Sequence, residues 1–321
     1  TIRSNYLGVV QPPPSFNGNL YRLTATGAPG FTSRSYAQLV IPPVLYVRAG
    51  ASNGNGLSWA TAFGDPGQAM AAATYHCQEI WVAGGTYALS STCAIKPGVS
   101  LYGGFNGTET SRAQRDWRAN PTVMDGRGGR IFDSQWCDSA TRLDGFTLTG
   151  GSPALSIGFG APHIENCVFW SNGSAIEYRG GRDQAGRNFV SGPARVANCR
   201  FEHNGTSLKV GGADVSVIGC LLANNQAWTP AVSVGYDTLE VPGSVKLIQC
   251  TLADNGGNAY GGAACDRGGT LEIVNSIIWN NSPAQVGNSG GSLTVSNSLV
   301  QGWEGAGILD AAPLFAQPGQ D

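Results

Sequence analysis

Charge is scarce in this chain. Asp, Glu, Lys and Arg make up 12% of its 321 residues, about half the usual share. The 19 basic and 21 acidic residues leave a net charge of −2, and no basic run occurs. A nucleic acid or an anionic membrane surface is therefore an unexpected partner. No stretch approaches the roughly 20 apolar residues that cross a bilayer, which predicts no membrane insertion. Histidine is rarer still: His76, His163 and His203 are scattered, without the spacing of metal ligands. Nucleophile-elbow, phosphate-loop and dinucleotide signatures are missing as well, so neither a metal nor a cofactor is expected. The chain is nonetheless 41% hydrophobic, with 47 Gly and 17 Pro. That composition fits short strands and tight turns rather than disorder. The opening at Thr1 reads as a mature form or a fragment.

What is present is a repeat. Ile164-Glu-Asn-Cys-Val-Phe169 returns as Val196–Phe201, Val217–Leu222 and Leu247–Leu252, then with Ser as Ile273–Ile278 and Val295–Val300. Five residues after the Cys or Ser of the first five phrases stands Asn172, Asn204, Asn225, Asn255 or Asn281. One strand phrase and one Asn turn every roughly 20–32 residues predict a solenoid of β coils. Apolar residues fall at i, i+3 and i+5, as in Ile164, Cys167 and Phe169, whereas a straight strand alternates strictly. The extra residue (Asn166, Asn198, Gly219, Asn275 or Asn297) predicts a bend, and the Asn five beyond the Cys predicts the next corner, paired with its copy one coil away. Leu143–Leu148 is the same rung with Phe146 in the Cys column. The fold class is all-β: a parallel β-helix, right-handed by the chirality of parallel crossovers.

Eight cysteines raise the question of disulfides. Cys167, Cys199, Cys220 and Cys250 share one repeat position that Ser276 and Ser298 continue, which predicts a buried thiol ladder rather than bridges. Cys77 and Cys93 flank the strand Ile80–Val82 and are the bridge candidates, and export is favoured. Cys137 and Cys265 are unassigned.

A solenoid needs its ends covered. Asp65 as N-cap, Pro66 at N1 and Gln68 at N3 predict a capping helix near 65–76, whose Met70 and Ala73 plug the N-terminal end. Ile308–Phe315 is apolar enough to fold over the last rung. The phrases Tyr46-Val-Arg-Ala-Gly through Phe63, Ile80-Trp-Val-Ala-Gly-Gly-Thr-Tyr87, and Val99-Ser-Leu-Tyr-Gly-Gly-Phe-Asn-Gly-Thr-Glu-Thr-Ser-Arg112 carry a resemblance, continued by Gln114–Trp117, Asn120–Val123 and Leu309–Phe315. Over about residues 44–316 they resemble bacterial secreted β-helix proteins of the pectate-lyase-like superfamily, in the branch of polymorphic outer-membrane and surface proteins. The resemblance implies a right-handed parallel β-helix over 44–321 and an extracellular or cell-surface location. It leaves activity open, because the family includes lyases, adhesins and structural proteins.

Residues 1–43 stand apart. Gln11-Pro-Pro-Pro14 is a stiff spacer, and Tyr21–Gly27 with Ser35–Ile41 predict a β-hairpin. The phrase Tyr21-Arg-Leu-Thr24 resembles the C-terminal hairpin of PilX-type minor type IV pilins, which implies a pilus-associated display; an ordinary hairpin packed along the solenoid is the alternative.

No catalytic constellation emerges. Asp125, Asp133, Asp138 and Asp144 crowd the early coils beside Arg127, Arg130 and Arg142, but their spacing suits Gly-rich turns better than a Ca²⁺ site. Glu165 and Glu202 occupy different columns, against a glycosidase pair. Binding features are stronger. Insertions at 179–192, 226–243 and 256–269 hold Arg182, Arg187, Trp228, Tyr236, Asp237, Tyr260 and Arg267, a mixture suited to a glycan or a protein receptor. Outward apolar positions Ile218, Ile248, Val274, Leu221, Ile277 and Leu299 need cover, from the chain itself or from homo-assembly or pilus subunits. The expected function is a surface-exposed binding or structural module, adhesin-like; the alternative is a polysaccharide lyase or glycoside hydrolase of the same fold.

Overall fold

A computed structural model of the protein describes residues 20–26, 32–38, 44–52, 54–73, 78–182, 188–189, 191–235 and 241–315. From Val44 onward, strands of three kinds recur in fixed order and stack into three sheets of 10, 10 and 8 strands. One coil runs from His163–Glu165 in the first sheet, through Val168–Trp170 in the second, to Ser174–Arg179 in the third. Each strand pairs in parallel with its counterparts one coil away: Ile164 lies opposite Leu143 and Val196, and Phe169 opposite Leu148 and Phe201. The expected parallel β-helix is present. Its core is a continuous cluster of inward side chains from all three sheets, including the stacked rings of Phe169 and Phe201 at 4.7 Å.

Two sharp corners separate the three sheets within a coil. At the first, Asn166, Asn198, Gly219, Gln249, Asn275 and Asn297 all adopt left-handed backbone, with φ between 48° and 60°. All but Gln249 are the predicted bend positions. At the second corner the left-handed residue is not the repeated Asn but the residue before it: Ser171, His203, Asn224, Asp254 and Asn280. That corrects the expectation that the Asn itself turns the chain. The turn made one residue earlier aims the Asn side chain into the core, where Asn172, Asn204, Asn225, Asn255 and Asn281 are all buried. Each amide donates to the next, ending on Gln285, whose own amide donates to Gln301.

The Cys column is likewise a hydrogen-bonded ladder. Cys220 Sγ accepts from Cys199 N at 3.4 Å, and further along Ser276 Oγ accepts from Cys250 N and Ser298 Oγ from Ser276 N, both at 3.1 Å. Cys and Ser interchange because the site needs a small group that accepts one N–H and donates to a carbonyl. No described cysteine is in a disulfide; Cys93 is a buried free thiol. The bridge expected of Cys93 is therefore not made: its side chain faces the core. Cys77 lies outside the described residues.

The N-terminal cap is Pro66–Ala72, with the Asp65 carboxylate accepting from Gly67 N and Gln68 N. Met70 and Ala73 are buried against the first coils as predicted; residues 74–77 lie outside the described residues. At the other end Trp303 and Ile308 pack against the core, but Leu309, Leu314 and Phe315 are exposed. Only the start of the tail covers the last rung: Ile308–Leu309 pairs with Ser298–Leu299 at the end of the second sheet. The N-terminal hairpin is formed, with Leu20–Thr26 antiparallel to Thr32–Gln38. On the outside, Ile218, Ile248 and Val274 stack in register and remain half-buried, as do Leu221, Ile277 and Leu299.

Candidate functional site

A groove of about 800 Å³ runs along the outside of the first corner. Corner residues Gly145, Asn166, Asn198 and Gly219 lie along it, beside Thr147, Val168, Arg200 and Leu221 of the second sheet. Its wall is Trp117 and Arg118, carried by the excursion 106–121 between the first and second sheets. Glycine makes that wall possible. A Cβ on Gly104 would sit 2.4 Å from Trp117 Cα, and one on Gly145 would sit 3.0 Å from Trp117 Cβ. Both glycines have positive φ, 90° and 81°, which L side chains avoid.

Charge then fixes the excursion. Arg115 Nη2 meets Asp144 Oδ2 at 2.6 Å with both side chains largely buried, and Arg115 Nη1 donates to Gly103 O at 3.0 Å. The other Asp144 oxygen accepts from Asn166 Nδ2 at 2.8 Å. At the start of the excursion the buried Glu109 carboxylate accepts from the backbone of Asn106, Gly107 and Thr108. Arg118 lies over the Trp117 ring at 4.7 Å, and Arg200 Nη2 reaches both Glu202 oxygens at 2.9 Å. The lining residues carry two guanidinium groups and no carboxylate.

Beside the groove, Arg142, His163 and Arg195 form an outward column on the first sheet, in register one coil apart. Glu165 is shared between the two arginines, at 3.1 Å from Arg142 Nη1 and 3.3 Å from Arg195 Nε. His163 Nδ1 is buried without a hydrogen-bond partner. Burial, followed by the Arg142 charge, holds the imidazole below its ordinary pKa, so it is neutral at pH 7.

A second aromatic feature lies where the third sheet returns to the first. Trp136 and Phe159 follow third-sheet strands in successive coils, with φ of 57° and 52°. Their rings stack at 4.6 Å and 13°, and Trp136 is 59% exposed. Left-handed backbone costs an L residue about 1–2 kcal/mol, while an aromatic pair returns about 0.5–1.5 kcal/mol. Two strained residues thus outweigh one stack.

The sequence-predicted binding residues separate between two corners. Trp228, 83% exposed, and Tyr260 precede third-sheet strands, whereas Arg267 follows one. Tyr260 lies flat over Gly287, where a Cβ would fall 2.3 Å from its ring. Arg182 is described only as backbone, paired with Asn188; Arg187, Tyr236 and Asp237 lie outside the described residues. Trp117 was legible as part of a motif but not as a groove wall, since nothing local tells how the excursion docks. The early aspartates sit in turns and ion pairs: Asp125 and Asp138 accept from nearby backbone, and Asp133 pairs with Arg130. Among the described residues no three His, Cys, Asp or Glu side chains come together as a metal site.

Residues 144–311 match the family model of the right-handed β-helix region. The chain belongs to this right-handed β-helix family. Among solved structures it is similar to the crystal structure of pectate lyase Pel9A, with 15% identity and a TM-score of 0.37 over 79% of this chain and 78% of that one. Geobacillus virus E2 ORF18 is 12% identical, with a TM-score of 0.39, over 79% of this chain and 60% of that one. No curated protein matches the sequence. In this right-handed β-helix the groove, the charged column and the aromatic pair all stand on the early and middle coils. No helix among the described residues is long and apolar enough to cross a membrane.

Proposed function

We propose that the protein is a glycan-binding β-helix module displayed at the cell surface or released from it, with the first-corner groove as its main site. The observation that carries this reading is the groove itself: an indole wall backed by Arg118, lined as well by Arg200 and the corner residues Asn166 and Asn198. Sugars are held by this combination of an apolar ring face and planar hydrogen-bonding groups. Trp228 and Tyr260 offer a further contact at the second corner, and the column Ile218, Ile248 and Val274 offers a surface for a second copy. The test is a glycan array probed with wild type, Trp117→Ala, Arg200→Ala and Trp228→Ala. Loss of signal in the first two variants supports the groove; loss only in Trp228→Ala moves the site to the loops. Unchanged binding in all three removes the proposal.

A second reading has one specific observation in its favour. A neutral His163 between Arg142 and Arg195 suits β-elimination on a uronic acid, in which the arginines hold the carboxylate and the imidazole accepts the proton beside it. The C–O bond then breaks, the departing oxygen takes its electron pair and a proton from water, and an unsaturated sugar remains. Ultraviolet absorbance of that product, present in wild type and lost in His163→Gln, is the signature to look for on acidic polysaccharides.

A further inference from the structure

The return from the third sheet to the first holds two strained aromatic residues that the glycan groove does not use. Trp136 N donates to Gly158 O and Phe159 N to Arg179 O, so both residues continue the coil-to-coil hydrogen bonding while in left-handed backbone. The return demands neither that conformation nor an aromatic side chain, since other coils make it differently. At the equivalent positions of later coils Gly180 does not have positive φ, Gly212 and Gly290 have φ of +59° and +93°, and Arg267, opposite Gly290, has φ +46°. Where glycine fits without strain, the early coils carry an indole and a phenyl ring held parallel at the surface.

Polar groups are arranged alongside. Gln135 is exposed, and its side chain lies across Gly158, where an added Cβ would fall 2.1 Å from Gln135 Oε1. Gln135 Nε2 donates to Asp133 Oδ1 at 3.2 Å, and Asp133 is in turn held by Arg130 at 2.9 Å. Arg179, in register with Gln135 and Gly158, is fixed by Glu177 at 2.6 Å. An amide, a carboxylate and a guanidinium thus stand on the third-sheet strands adjoining the two aromatic residues, each oriented by a neighbour.

We propose that Trp136 and Phe159 form a second carbohydrate site, independent of the corner groove, on which a hexopyranose unit stacks its apolar face while Gln135 and Asp133 bond its hydroxyl groups. Exposed, nearly parallel rings with planar polar groups on the adjoining strands complement a pyranose.

The experiment measures affinity for cello-, manno- and chito-oligosaccharides by calorimetry, together with melting temperature, for the whole protein. Variants are Trp136→Gly with Phe159→Gly, Gln135→Ala, and Trp117→Ala as a groove control. The expected result is binding of at least one panel member that survives Trp117→Ala and weakens at least about tenfold in the double glycine variant. The melting temperature of that variant stays level or rises, because glycine relieves the backbone. Gln135→Ala weakens the same binding with no change in melting. Unchanged affinity in the double variant overturns the proposal whatever the melting temperature does. So does an affinity loss that accompanies a lower melting temperature and is not reproduced by Gln135→Ala, which makes the pair a structural clamp. Failure of wild type to bind any panel member also overturns it.

Discussion

Asn172 donates through Nδ2 to Asn204 Oδ1 at 2.9 Å, while the backbone N–H of Asn172 reaches the same oxygen at 3.0 Å. The arrangement repeats from Asn204 to Asn225, Asn225 to Asn255 and Asn255 to Asn281. Every polar atom in the file has a partner, as an interior position requires.

Removing one rung should therefore strand several groups together. Asn225→Ala leaves Asn204 N, Asn204 Nδ2 and Phe201 O without their partner. At about 1–3 kcal/mol for a buried unsatisfied group, a loss of about 3 kcal/mol or more in urea unfolding is expected. Asn225→Asp should be comparably destabilised at neutral pH and partly recover in acid, where a protonated carboxyl donates again. A loss under 1 kcal/mol would show that the file relaxes around the gap.

The Cys column predicts a different pattern. Cys220→Ser keeps both hydrogen bonds and should cost little, whereas Cys220→Val removes the acceptor of Cys199 N and should cost about 1–3 kcal/mol. Burial pushes the Cys93 thiol up to about 12 and the Cys199 thiol well above its ordinary value. Alkylation at neutral pH should accordingly label neither until the chain is unfolded; mass spectrometry of native and denatured samples reads the difference.

His163 gives a pH dependence with a definite sign. Its folded pKa lies below the ordinary value of about 6.5, so the unfolded chain binds more protons over the window between the two. Stability contributed by the neutral imidazole is complete above about pH 6.5 and declines as acid is added. Arg142 and Arg195 strengthen the trend and Glu165 opposes it. Comparing urea midpoints near pH 5 and pH 7.5, wild type should lose more on acidification than His163→Gln. Equal losses would remove His163 from the acid response.

Gly145 predicts a local failure at the groove. Gly145→Ala places a Cβ 2.9 Å from Arg115 Nη1 and 3.0 Å from Trp117 Cβ at φ +81°, so it should both destabilise the fold and displace the indole wall. Gly302→Ala is the control: its φ is +75° with nothing within 4 Å, and only the left-handed cost of about 1–2 kcal/mol applies. Glycan binding should fall in the first and persist in the second.

The parts of this molecule that repeat were the parts legible in the sequence. Cys167 through Ser298 and Asn172 through Asn281 occupy one position coil after coil, so register alone turned them inward. Which residue turned the second corner was missed, because Ser171, His203 and Asp254 share no chemistry, only a place before the Asn. The groove wall was hidden for another reason. Trp117 meets Gly104 and Gly145 through close backbone approaches that only the folded coils create. Trp136 and Phe159 were least legible, since bulky aromatics argue against the left-handed backbone they adopt.

The amide file also makes refolding a matter of time. Asn172, Asn204 and Asn255 are each followed by glycine, the pairing in which a flexible backbone most readily attacks its own side-chain amide and releases ammonia. In the folded coils these amides are buried and their backbone N–H groups are engaged. Each excursion to the unfolded state exposes them, and each conversion to Asp or isoaspartate puts a charge or a kink into an interior that accepts neither. Chains held unfolded should therefore lose refolding yield hour by hour in step with amide loss, while chains kept folded do not age.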